Sequence, residues 1–166
     1  MNETQDELAG VVDLFGALTR AELHEALVEL AFKRGMEPDE ATVRTTIEGA
    51  IDAYALVVVD PTVIESGGRS ELPPDADLLV AGPTAFPSLP PDAEDLPHIM
   101  DVPRRTIDRE TVGESVHEQL LGDVAALDDD QLDRAERLLD VSYDLEAWAP
   151  VDTEDARTRL DDILTE

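Results

Sequence analysis

Cysteine is absent from this 166-residue chain, which excludes disulfides, thiolate nucleophiles and Cys-ligated zinc or iron–sulfur sites together. Lysine is nearly absent too. Lys33 is the only one, and the rest of the 12 cations are arginines, set against 40 Asp and Glu for a formal net charge of −28. Long apolar runs are missing: the longest, Ala55–Val59, is far too short to cross a bilayer. The start, MNETQDELAG, has neither the basic nor the apolar region of a signal peptide. These absences predict a soluble, cytoplasmic protein.

Catalytic signatures are also lacking. There is no P-loop, no G-x-G-x-x-G, no G-x-S-x-G and no H-E-x-x-H. The cluster Asp92, Glu94, Asp95, His98 and Asp101 has the residue types of a cation site but no recognised ligand spacing, and acids surround any histidine in so acidic a chain. The expectation is a protein that is not an enzyme and holds no cofactor and no metal. His24 reads as a partly buried helix residue and His117 as a solvent-exposed one.

What is present is a salt-adapted composition with clear helical patterning. An excess of carboxylates over lysine, on a chain that is 42% hydrophobic, suits molar salt, where the Debye length is about 3 Å and surface carboxylates barely repel. The stretch Leu18–Gly35 places Leu23, Ala26, Leu27, Leu30 and Ala31 on one helical stripe, which Val28 and Phe32 widen around a second side. This helix reads as the middle layer of the fold. Thr19 and Glu22 form a capping box at its start, and Gly35 is the stop after Lys33 and Arg34.

Before it, a first helix carries Leu8, Val11, Val12 and Phe15 behind a capping box at Thr4 and Glu7. After it, a third helix, marked by Pro38 in its first turn, presents Val43, Ile47, Ala50, Ile51 and Tyr54 on one face. Leu56–Val59 and Asp77–Ala81 read as two strands of a hairpin with the long connection Pro61–Ala76. Residues 1–82 therefore predict a winged-helix-like domain. From 83 to 107, repeated prolines with Phe86, Leu89, Leu96, Ile99, Met100 and Val102 predict an ordered strap docked on the core. Residues 108–166 predict three helices packed on the first domain: Asp108–Leu127, Asp128–Asp140 with Leu132, Ala135 and Leu139 inward, and a last helix capped by Asp152 or Thr153. The fold class is mainly α (α+β).

The phrases ELAGVVDLFGALTR, ELAFKRG, LLVAGPTAFP, AEDLPHIMDVP and LLDVSYDLEAWAPVD, taken together, resemble an uncharacterised family of haloarchaeal proteins. That family brings no assigned reaction, ligand or site residue to this chain.

The function expected is a non-enzymatic interaction or regulatory module with a protein partner and no membrane. Arg104, Arg105 and Arg109 could grip an acidic partner or pair internally with Asp101, Asp108 and Glu110, the reading preferred here. Tyr143 and Trp148, in the SYDLEAWAP turn, read as a plug at a core edge, with a binding hot spot as the other reading. The alternative is a winged-helix DNA-binding transcriptional regulator, contacting DNA through Arg44 and Thr45 of the third helix and Arg69 of the wing. The outward face of that helix also holds Glu48, Gly49 and Asp52, a poor charge balance for phosphate contacts.

Salt dependence tests the composition argument. Far-UV circular dichroism should show loss of helix in dilute buffer and recovery in molar KCl; a spectrum indifferent to salt would contradict it.

Overall fold

The apolar stripe after Leu18 folds as α2 (Arg20–Lys33), with Leu23, Ala26 and Leu30 buried. In the computed structural model, which describes residues 2–33, 35–37, 39–66, 77–90, 93–100, 102 and 104–165, both ends of α2 close by identifiable devices. At the start, the Thr19 amide donates to Glu22 Oε1 (2.8 Å) and the Glu22 amide donates to Thr19 Oγ1 (3.1 Å), a complete capping box. At the end, Gly35 has φ 68°, its amide donates to the Phe32 carbonyl, and the Met36 amide donates to the Ala31 carbonyl. That pair of bonds is a Schellman motif.

Two compact units divide the chain, Met1–Asp108 and Arg109–Glu166. In the first, α1 (Asn2–Phe15) buries Leu8, Ala9, Val11, Val12 and Phe15. It begins at Asn2, upstream of the box expected at Thr4, because a Thr-x-x-Glu pattern also fits inside a polar first turn. A strand the sequence did not announce, β1 (Leu18–Thr19), links α1 to α2. Next, α3 (Glu40–Asp52) takes Asp39 as its N-cap, whose carboxylate accepts from the Ala41 amide and the Thr42 hydroxyl. Pro38, expected in its first turn, lies outside the described residues. Tyr54, buried with φ 63°, occupies the left-handed position after α3 that glycine usually fills. The Tyr54 and Ala55 amides donate to the Ile51 and Ala50 carbonyls there.

The two expected strands are present as β2 (Leu56–Val59) and, after β3 (Ile64–Ser66), as β4 (Leu78–Ala81). They do not form a two-stranded hairpin alone. β4 is central in a three-stranded antiparallel sheet, pairing Val57 with Val80 on one side and Leu18 with Leu79 on the other. A segment as short as Leu18–Thr19 has no alternation of its own to read; its pairing with β4 makes it a strand. The core of this unit lies between α1, α2, α3 and the sheet, with Leu56 and Leu79 contributed by the strands.

The proline-rich strap contains more structure than proline content allows one to expect. It holds a 3-10 turn at Ala93–Asp95, α4 (Leu96–Met100) and β5 (Thr106–Ile107), which pairs with β3 through Ile64 and Ile107. Ala93 and Leu96 are buried in the core, and Met100 and Val102 pack against it. Phe86, Leu89 and Ile99 do not dock; all three are exposed. Backbone bonds set the path instead. The Ser88 amide donates to the Asp6 carbonyl and the Arg105 amide to the Phe15 carbonyl. Where the strap crosses α1, a Cβ on Gly10 would overlap the Ser88 carbonyl, and one on Gly16 (φ 86°) would overlap that of Arg105. Phe32 departs from expectation as well: α2 is enclosed along Leu23, Ala26 and Leu30, but Phe32 is 64% exposed.

The second unit is a three-helix arrangement of α5 (Arg109–Ala125), α6 (Leu132–Trp148) and α7 (Glu154–Leu164). Val112, Val116, Leu120 and Val124 are buried as their spacing implies. The SYDLEAWAP segment is not a turn. α6 runs through it, burying Ala135, Leu138, Val141, Ser142 and Leu145, while Leu132 is exposed. Asp128 and Gln131 make a turn ahead of α6 rather than its first residues, with the Asp128 amide donating to Gln131 Oε1. Ahead of α7, Thr153 holds the N-cap position, and Asp152 accepts from the Glu154 amide. His117 is half-buried rather than exposed, and its Nε2 has no partner among the described residues.

Leu23→Ala should lower the unfolding free energy by about 2–5 kcal/mol. Phe32→Ser should change it by no more than about 0.5 kcal/mol. Chemical denaturation in molar KCl measures both, and a reversed ranking would contradict the burial assigned to α2.

Candidate functional site

Most of the cations singled out by sequence are engaged within the fold. Arg105 is 3% exposed. Its Nη1 donates to Glu22 Oε1 (2.7 Å) and to the Ala17 carbonyl (2.9 Å), and its Nη2 donates to Glu22 Oε2 (3.0 Å). This is a fork-to-carboxylate pair, the strongest geometry available to arginine. Its carboxylate is Glu22 of the α2 capping box, 83 residues away in sequence. Burial alone would raise the Glu22 pKa; the hydrogen bonds and charge of Arg105, with the Thr19 amide, overcome that and leave it below the ordinary glutamate value. Arg104 is exposed, yet its Nη1 donates to the Leu14 carbonyl in the last turn of α1 (2.9 Å). Arg104 thus serves the carbonyl-rich end of α1, while the Arg105 side chain ties the Ala17 carbonyl to the start of α2.

Arg109 belongs to the second unit. Its guanidinium lies 4.2 Å from the centroid of the Trp148 ring and donates to the Trp148 carbonyl (3.4 Å). Tyr143 is 58% exposed on α6 and therefore does not plug a core edge; Arg157 of α7 sits over its ring at 4.9 Å. Arg157 also donates to Glu146 Oε1 (2.7 Å) and Thr153 Oγ1 (2.6 Å), while the Thr153 amide donates to Glu146 Oε2 (2.8 Å). The Arg157 bond, then the Thr153 amide, hold the Glu146 carboxyl down at about 2. Sequence reading missed this network because Glu146 lies inside the SYDLEAWAP segment taken for a turn, while Arg157 lies on the helix after it.

The outward face of α3 has the exposure expected of it: Arg44, Thr45, Glu48, Gly49 and Asp52 all face solvent. Arg69 lies outside the described residues. Between α2 and α3, Arg20, Ala21, His24, Arg44, Ile47 and Glu48 line a cleft of about 290 Å³. Arg20 is paired with Glu48 across it. The signal for this cleft was the i, i+4 spacing of Arg20 and His24 on one face of α2, which reads as ordinary surface until α3 is packed beside it. On the strap, His98 is exposed, and Asp95 pairs with Lys33 at 3.7 Å. Asp92 and Asp101 of the acidic cluster lie outside the described residues. Among the described residues, no three His, Asp or Glu are grouped to hold a metal ion, and no helix is long and apolar enough to cross a membrane.

The pH dependence follows from Glu146. Its folded pKa lies below the ordinary glutamate value, so its contribution to stability is complete above about 4.5 and is lost as pH falls toward about 2. In molar KCl, the difference in thermal midpoint between wild type and Glu146→Gln should be largest at pH 7 and shrink through that window. A difference independent of pH would contradict the assignment.

No curated protein and no solved structure matches the chain. A family model does, over residues 6–165, and it spans both units. The chain belongs to a family of unknown function, DUF7109.

Proposed function

We propose that the chain is a non-enzymatic, cytoplasmic interaction or regulatory module of a salt-adapted organism, its N-terminal unit arranged as a winged helix. Three helices with β1 between the first and second, followed by β2 and β4 of the same sheet with β4 central, support that arrangement. In chain order, the segment between β2 and β4 is the counterpart of a wing. Lysine depletion and the net charge of −28 support the high-salt setting.

One observation carries the interaction reading. The N-terminal unit leaves Phe32 (64%), Met36 (59%) and Phe86 (83%) exposed, on a chain with only six aromatics. Large apolar side chains left in water contribute nothing to the core, and they are the residue types that anchor protein interfaces. A partner offering apolar contacts together with cations suits them, because the chain's net charge of −28 disfavours an acidic one.

The second reading is a DNA-binding regulator using α3, favoured by the arginines at the α2–α3 cleft and opposed by Glu48 and Asp52 on the same face. Affinity capture at molar KCl separates the two. A partner retained stoichiometrically by wild type and lost on replacing Phe32, Met36 and Phe86 with serine is the expected result. An unchanged protein profile, with genomic DNA crosslinking abolished by Arg44→Ala, would favour the regulator instead.

A further inference from the structure

The geometry points to a phosphate-binding cleft between α2 and α3, formed by Arg20, His24 and Arg44, a property that goes beyond the interaction reading. Cations are scarce here, 12 against 40 acids, yet two arginines and a histidine line one cleft of about 290 Å³. That volume is at the lower edge of the range of small-molecule sites. Ile47, which is buried, and Ala21 add apolar lining to the cleft.

Arg44 supplies the second observation. On α3 it has Glu40 four residues before it and Glu48 four residues after it, the spacing at which helical ion pairs form. Among the described residues it nevertheless makes no ion pair, while Glu48 is taken by Arg20. With the Glu48 charge offset by Arg20, the guanidinium of Arg44 leaves the cleft with a positive balance on an otherwise acidic chain. Its planar fork suits two oxygens of one phosphate, and a ring nitrogen of His24 can donate to a third. In molar salt only direct contacts of this kind survive screening. The phosphate can be free or part of a nucleic-acid backbone; the chemistry of the cleft is the same for both.

Titration of inorganic phosphate into the full chain, in molar KCl at fixed ionic strength, tests the site by NMR. Saturable shifts should appear at Arg20, His24, Arg44 and the facing amides of α2 and α3. Arg44→Gln, an exposed substitution that should keep the thermal midpoint, should weaken binding about ten-fold or more. Arg134→Gln, in the other unit, should not weaken it. A short duplex DNA added next identifies the source. Displacement of phosphate from the same residues assigns a nucleic-acid backbone; no displacement assigns a free phosphate compound. Shifts that never saturate, or equal affinity in Arg44→Gln, would overturn the proposal.

Discussion

The ion pair between Arg105 and Glu22 is the constraint on which the N-terminal unit depends. Glu22 closes the capping box that starts α2, and the same carboxylate receives both terminal nitrogens of Arg105. The backbone of Arg105 bonds to the last residue of α1, and its side chain reaches the carbonyl of Ala17 just before β1. One residue of the strap therefore joins the end of α1, the approach to β1 and the start of α2. A buried pair of this kind adds little net stability relative to an apolar replacement, but removing one partner strands a charge and costs about 3–5 kcal/mol. The Nε of Arg105, buried without a partner among the described residues, offsets part of what the intact pair contributes. The pair fixes geometry more than it adds stability.

The scarcity of cations explains how the rest are used. Arg104 and Arg109 meet carbonyls at helix ends, and Arg157 joins Glu146, Thr153 and the ring of Tyr143. Each contact is direct, which is what survives where long-range attraction is screened within a few ångströms. Carboxylates can be left unmatched on such a surface; arginines are put where geometry gives them several acceptors. The three cations at 104, 105 and 109 look like one patch in sequence, but the chain divides between them and gives them separate tasks.

Much of this fold was legible, and what was missed has physical causes. The Thr19–Glu22 box, the Gly35 stop and the stripes through Leu23, Ile47 and Val116 rest on local periodicity and local hydrogen bonds, so the sequence carries them. β1 could not be read, because two residues become a strand only through β4. α6 was cut short because Ser142, Tyr143 and Asp144 resemble loop residues, although Val141 and Leu145 continue the stripe. The exposure of Phe32 and Phe86 was likewise beyond sequence, since hydrophobicity sets what can be buried and the path of the backbone sets what is. Of the candidate site, Arg44 and Thr45 were legible as an outward face. The contribution of Arg20 and His24 was not, because the cleft exists only where two helices meet.

The functional reading and the fold meet at α2. Its start is fixed by Glu22, its early turns supply Arg20 and His24 to the cleft, and its end presents Phe32. A double-mutant cycle on Arg105→Met and Glu22→Gln, by chemical denaturation in molar KCl, measures the link directly. The account predicts a coupling free energy of about 2 kcal/mol between the two sites. Additivity to within about 0.3 kcal/mol would show that the strap does not hold α2 in place, and would contradict it.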